Sequence, residues 1–332
     1  MARIAQIGYG YWGRNLTRNF HELNSLYAVV DEDAAAAAEA SAKFGAKALT
    51  LDQALADTAI DGISIASPAV LHAQHVRRAL EAGKHVFVEK PLSLSVEDAE
   101  LLCELADRRR LCLMVGHLLQ YHPIFAKLRE MVERGELGRI RYVYSNRLSL
   151  GKFRSEENVL WSFAPHDLSM VLSVFGEEPS SVSAHGSVSF VAGVADVAGV
   201  QMHFPSGGSA HVLTSWMHPF KEQRLVVIGS EGTAVFEDSQ PDWNRKLAIY
   251  RPTFDLSKLA PVPTKAEAEY VVVPHSEPLR NECNHFITCI DTGRQPLTNG
   301  EEGLRVLRVL QAAEHALAAN ISAQKSSENV AP

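Results

Sequence analysis

Ile4-Ala-Gln-Ile-Gly8-Tyr-Gly10-Tyr-Trp-Gly13 decides the fold of this 332-residue chain. An apolar strand over 3–7 runs into glycines spaced G-x-G-x-x-G, and a helical pattern over 12–22 follows. Between a strand and a helix this spacing has a mechanism. Gly8 makes the tight turn, Gly10 lets a pyrophosphate approach the backbone beside Tyr11 and Trp12, and Gly13 lets helix and strand pack closely. The helix N-terminus supplies free N–H groups and a positive dipole end for the phosphates.

Outward from that turn, apolar runs at 26–30, 62–66, 85–88 and 111–115 alternate with helical patterns at 33–44, 69–82 and 95–110. Repeated strand–helix alternation implies parallel strands joined by crossover helices, so this half reads as a doubly wound α/β (Rossmann) domain over 1–122. The pattern changes after Pro123. A helix at 123–134, a strand at 139–150 and a helix at 164–175 lead into successive strands from Ser181 to Val273, with turns at 204–209 and 229–232. Helices near 277–291 and 300–320 close the chain. Residues 123–332 read as an α+β substrate-binding and oligomerisation domain on a mostly antiparallel, open-faced sheet. A sheet covered by helices on one face needs cover on the other, which predicts a homodimer or homotetramer.

Lys and Arg number 32 against 39 Asp and Glu, a net charge of −7, which opposes a general affinity for nucleic acid. No stretch approaches the ~18 apolar residues of a membrane-spanning helix. The start is interrupted too soon by glycines for a secretory signal. Cys103, Cys112, Cys283 and Cys289 form no C-x-x-C pair, which suits the reducing cytoplasm. His72 with His75, and His117 with His122, lack a third ligand at zinc spacing, so no metal is expected.

The second strand ends at Asp31, 18 residues after Gly13. A carboxylate there takes the adenosine ribose hydroxyls and repels a 2′-phosphate. Glu32 and Asp33 add to the repulsion, so NAD is favoured over NADP; Asp33 is the better cap for the next helix. Two further strands end in Ser67-Pro68, with His72 beyond, and in Glu89-Lys90-Pro91. Ligands of open α/β sheets lie outside the carboxyl ends of strands, which turns these segments toward the cofactor. A lysine beside a nicotinamide cation has its pKa lowered and can orient a hydroxyl and share its proton. The plain alternative is a surface lysine paired with Glu89.

Gly8-x-Gly10-x-x-Gly13, the run Gly83-Lys-His-Val-Phe-Val-Glu-Lys-Pro91 and Pro165-His166-Asp167 together resemble the glucose–fructose oxidoreductase/inositol dehydrogenase (Gfo/Idh/MocA) family over nearly the whole chain. The resemblance implies an NAD-dependent dehydrogenase acting on a CH–OH group, with Lys90 and His166 meeting over the nicotinamide. Ser162 stands where many relatives carry an aspartate four residues before that histidine. Pro165 suits a helix's first turn, which would place His166 where the dipole favours a neutral imidazole.

Tyr121 and His122, at the domain crossover, are candidates to line a sugar pocket. Arg147, Lys152 and Arg154 place three cations within eight residues. They form a candidate anion clamp, or else a solvated loop paired with Glu156 and Glu157. Trp216, Phe220 and Arg224 are candidates to stack on or pair with a nucleotide. The wording from Glu157 through Trp161 to Asp167 resembles family members acting on nucleotide sugars, the UDP-N-acetylglucosamine 3-dehydrogenases, and that resemblance makes Trp161 a candidate substrate contact. It also implies oxidation of a sugar 3-hydroxyl, with the ketone passed to an aminotransferase of lipid A or surface-polysaccharide synthesis. A free polyol or sugar of the inositol or glucose type is the alternative substrate, and a noncatalytic NAD-binding regulator is the alternative of a different class.

Overall fold

The computed structural model of the chain describes residues 1–328 apart from 152, 256 and 258, with side chains as far as Ser322. It forms two compact units, Met1–His122 with Ser276–Arg308, and Pro123–His275 with the chain from Val309 onward. In the first, β1 (Ile4–Ile7), α1 (Tyr11–Glu22), β2 (Leu26–Val30), α2 (Ala34–Phe44), β3 (Lys47–Ala48), α3 (Leu51–Ala56), β4 (Gly62–Ile65), α4 (His72–Glu81), β5 (His85–Glu89), α5 (Val96–Arg109) and β6 (Leu113–Gly116) follow one another.

The six strands are all parallel, in the order β3-β2-β1-β4-β5-β6. Strand order reverses between β1 and β4, which opens a crevice at their carboxyl ends. Every residue of β1, β4 and β6 is buried, as strands covered on both faces require. Asp33 caps α2 by accepting the N–H of Ala35, as expected. Two elements escaped the periodicity. β3 is two exposed residues, and α3 is six residues held by a Thr50–Gln53 capping box.

The second unit holds α6 (Pro123–Glu133), β7 (Ile140–Leu150), α7 (Val159–Phe175), β8 (Ser181–Ser187), β9 (Val197–His203), β10 (Ser209–Ser215), β11 (Met217–Gly229), β12 (Thr233–Glu237), β13 (Leu247–Tyr250), β14 (Thr253–Asp255), β15 (Val262–Thr264) and β16 (Glu269–Tyr270). Eight of these strands make one sheet, ordered β16-β13-β12-β11-β7-β10-β9-β8, in which the β10–β7 pair is parallel and the other pairs antiparallel. Gly207, at φ +86°, turns the chain between β9 and β10. α7 lies against β7, β9 and β10. On the opposite face Tyr144 stacks on His211, ring centroids 5.5 Å apart, and both are half-buried.

Two expectations are corrected. α7 begins at Val159, not near 164, because Asn158 caps it by accepting the N–H groups of Leu160 and Trp161. Pro165 is therefore inside the helix, and His166 lies beyond the first turn, where the dipole argument no longer applies. The second correction concerns the last helices, α8 (Pro278–Thr292) and α9 (Gly300–Glu328). Leu279, Cys283, Phe286 and Ile287 of α8 join Ile4, Leu16, Phe20, Phe87 and Met114 in one apolar cluster. The chain thus returns to complete the first core, so a division into 1–122 and 123–332 does not hold, and the units part again within α9. No described helix is long and apolar enough to cross a membrane.

Candidate active site

The turn after β1 is built by its glycines. Gly8 adopts φ +84°, and a Cβ on it would lie 2.6 Å from the carbonyl oxygen of Ala66. A Cβ on Gly13 would fall 2.0 Å from the Gly8 oxygen, so α1 packs on this turn only without a side chain there. Gly10 differs: it precedes α1 with no side-chain cap, and a Cβ on it would meet nothing within 4 Å. An exposed, uncapped helix start approached by bare backbone is what a pyrophosphate needs. Asp31 stands beside it, its Oδ2 accepting the Tyr9 N–H at 2.6 Å and its Oδ1 the Asp33 N–H at 2.9 Å. The carboxylate is fixed at the end of β2 with acceptor capacity left for ribose hydroxyls. The residues present therefore fit NAD. Tyr11, 88 % exposed, opens α1.

The ends of β4 and β5 are tied together. His72 is buried, with Nδ1 2.7 Å from the Pro91 oxygen and Nε2 2.9 Å from the Ser67 oxygen. Burial lowers its pKa, so the neutral ring donates to one oxygen at a time. It braces the Ser67-Pro68 and Lys90-Pro91 segments from behind, where direct cofactor contact had been expected. Ser67 is held through its hydroxyl, 3.0 Å from His75 Nδ1, while Pro68 is exposed. Lys90 directly follows β5, is joined to Pro91 by a cis peptide and is half-buried. Beside it, Glu89 accepts the indole N–H of Trp12, and a Cβ on Gly116 would lie 3.0 Å from its Oε2. Burial pushes the Glu89 carboxyl up to about 7, against the opposing pull of the Trp12 N–H and the Lys90 charge.

In the second unit two of the three predicted clamp cations have carboxylate partners. Arg147 of β7 is buried and paired with Asp167 of α7, whose Oδ1 also accepts the Ser145 hydroxyl at 2.6 Å. Arg154 pairs with Glu157 at 2.7 Å on the surface. Lys152 lies outside the described residues. Trp161, expected against substrate, donates its indole N–H to Glu314 at 3.1 Å, and Asn158 donates to the same oxygen at 2.8 Å. Trp216 is buried edge-on to Phe163, and Arg224 is taken by Glu237 at 3.0 Å, which leaves Phe220 exposed. His166 is half-buried on α7 beside the anchored Asp167. In the first unit Tyr121 is a core residue, its hydroxyl 2.9 Å from Thr298 Oγ1, and His122 is buried, so neither lines an open pocket within that unit.

Several contacts near Lys90 leave no signal in the local sequence. Trp12 and Glu89, both named on the cofactor side, are joined across 77 residues. His117, directly after β6, holds Glu302 of α9 at 2.5 Å. Glu282 is fully buried on the α8 stripe that also carries Leu279, Cys283 and Phe286. A glutamate on an apolar stripe was the available signal. Among the described residues, no three His, Cys, Asp or Glu side chains converge as a metal site requires.

Two family models match this chain, one in each unit. The profile of the GFO_IDH_MocA group, described as an oxidoreductase family with an NAD-binding Rossmann fold, matches residues 2–117, and that of the GFO/IDH/MocA C-terminal domain matches 125–235. A UDP-N-acetylglucosamine 3-dehydrogenase of Acidithiobacillus ferrooxidans is 30 % identical over 307 residues, covering 92 % of this chain and 94 % of its own. An inositol 2-dehydrogenase of Rhizobium meliloti is 27 % identical, over 88 % and 89 % of the two chains. Among solved structures, the Acidithiobacillus UDP-N-acetylglucosamine 3-dehydrogenase GnnA superposes with a TM-score of 0.85 at 29 % identity, covering 96 % and 98 %.

Proposed function

The chain belongs to the Gfo/Idh/MocA oxidoreductase family, and from that premise we propose that it oxidises the 3-hydroxyl of a nucleotide-linked amino sugar of the UDP-N-acetylglucosamine class. The observation that carries this reading is the near full-length similarity to a UDP-N-acetylglucosamine 3-dehydrogenase, joined to an intact Lys90 at the carboxyl end of β5. NAD, when bound through the Gly8–Gly13 turn and Asp31, supplies the hydride acceptor. Lys90 holds the reacting oxygen and steadies its developing negative charge, and His166 accepts the hydroxyl proton. The two roles are interchangeable on chemical grounds. The keto sugar is a substrate for an aminotransferase. The sheet face bearing Tyr144 and His211 is the proposed seat of a second copy.

One observation favours a second reading. Arg147 and Arg154 each have a carboxylate partner within the second unit, which weakens the feature that spoke for a diphosphate. A dehydrogenase of a free polyol, like the inositol enzyme above, uses the same pair and needs no such feature.

The test is NADH formation at 340 nm with NAD and UDP-N-acetylglucosamine, free N-acetylglucosamine or inositol, with an aminotransferase and its amino donor added to draw off ketone. Turnover confined to the UDP sugar supports the first reading, and turnover of inositol the second. Lys90→Ala and His166→Ala are each expected to cut kcat by about 10²–10⁴-fold with NADH still bound. Wild-type turnover in either variant would remove that residue from the mechanism.

A further inference from the structure

Glu282 is fully buried, and neither of its carboxyl oxygens has a hydrogen-bond partner. An ionised carboxylate in that position would be cut off from bulk solvent and from any protein donor, a state costly enough that the group takes up a proton instead. The elements packed around it supply mostly like charge. Glu89 faces it from the end of β5, followed in sequence by Lys90; Glu302 faces it from α9, where His117 holds it; and Tyr121 lies nearby in the 118–121 turn. On α8 itself the neighbour is Cys283, a buried thiol, and Arg18 of α1, whose charge reaches Cys283, is paired with Glu277. Two neighbouring carboxylates oppose a charge on Glu282, so burial and these fields both hold its pKa well above the carboxylate range.

Glu89 is placed differently. It has the Trp12 indole N–H, the Lys90 backbone N–H and the Lys90 charge to stabilise its ionised form. Of the two carboxyls it is the one able to carry charge, and it does so next to Lys90.

We propose that Glu89 and Glu282 act as one carboxyl pair that keeps a proton on Glu282 and leaves a single negative charge on Glu89, against the Lys90 end of β5, making both of them positioning residues for Lys90. This rests on the reading of Lys90 as the group that holds the reacting hydroxyl. With Glu89 charged, Lys90 has an anion beside it; with Glu89 protonated, that anion is gone and the lysine more readily becomes the neutral amine.

Three measurements on the full-length protein test the pair, and two need no substrate. The first is unfolding in denaturant across pH. A carboxyl whose folded pKa is raised contributes stability that is fully present below its unfolded value, near 4.5, and is lost as pH rises through the folded pKa. Relative to Glu282→Gln, the wild type is expected to lose about tenfold in its folding equilibrium constant per pH unit above that value. In a Glu89→Gln background the loss due to Glu282 ends at a lower pH, because Glu282 then ionises against one neighbouring carboxylate, Glu302, instead of two. Parallel wild-type and Glu282→Gln curves would overturn the proposal.

The second is tryptophan emission against pH, taken as the difference between wild type and Trp12→Phe. It is expected to titrate near neutrality and to go flat in Glu89→Gln; a difference signal that stays constant across that range contradicts a titrating Glu89. The third is the pH profile of NADH formation, in which Glu89→Gln is expected to lose its limb near neutrality while the KM for NAD changes less than twofold. A profile unchanged by Glu89→Gln would refute the positioning role. If Lys90→Ala keeps its turnover, the reading of Lys90 fails while the first two measurements still decide the pair.

Discussion

Asp31 shows how a single carboxylate serves fold and specificity together. It anchors the Tyr9 and Asp33 N–H groups and still offers lone pairs toward the turn that Gly10 leaves open. Asp31→Ser is expected to narrow the preference for NADH over NADPH by about tenfold or more, read as the ratio of the two Kd values by nucleotide fluorescence. An unchanged ratio would place the ribose elsewhere. Asp31 was legible because the glycine spacing fixes where the second strand must end. Trp12 and Glu89 were each placed on the cofactor side, but the bond between them was not legible, since a contact across 77 residues leaves no trace in local pattern. Arg147 misled for a related reason: a cation in a basic stretch looks available until the fold shows the Asp167 that neutralises it.

At the scale of elements, the β1–α1 turn separates two glycines that look alike in sequence. Gly13→Ala drives a Cβ into the Gly8 carbonyl at 2.0 Å, whereas Gly10→Ala meets open space. The first is expected to lower Tm and nucleotide affinity together. The second should weaken NADH binding at an unchanged Tm, a split that only a ligand against Gly10 produces.

α7 makes the complementary case. Its start was misplaced because Pro165 was read as a first-turn residue, while the Asn158 cap that sets the boundary sits seven residues upstream. What holds the helix to β7 is the buried Arg147–Asp167 pair with Ser145. Removing one partner of a buried ion pair typically costs about 3–5 kcal/mol, so Arg147→Met should show a loss of that order in chemical denaturation. A clamp on substrate would instead raise KM and leave stability alone. His166 adjoins Asp167, so the same variant is expected to lower kcat through the helix.

At the scale of the molecule, chain order and core composition part company. The strand–helix alternation of the first 116 residues was plain in the sequence, since the buried strands are short, predominantly apolar runs, broken only by single polar residues such as Gln6 and Ser64. Nothing in that alternation revealed that the core remains incomplete until residue 276, because α8 reads as one more amphipathic helix whose partner is unspecified. Leu279, Phe286 and Ile287 are each less than a tenth exposed and pack with Ile4, Leu16, Phe20 and Phe87. Leaving out α8 uncovers the inner side of that cluster, and fully burying such an aliphatic or aromatic side chain is typically worth about 1.5–3 kcal/mol. Three of them approach the whole stability of an ordinary domain, about 5–15 kcal/mol. A fragment of residues 1–122 is therefore expected to show no cooperative unfolding transition and to bind the hydrophobic dye ANS, even though it contains every strand of the sheet and every residue of the glycine turn. Joining 276–308 to that fragment through a flexible linker should restore a single transition and NADH binding. A 1–122 fragment that melts cooperatively and binds NADH would show that the six strands close their own core, and α8 would then be a passenger on it.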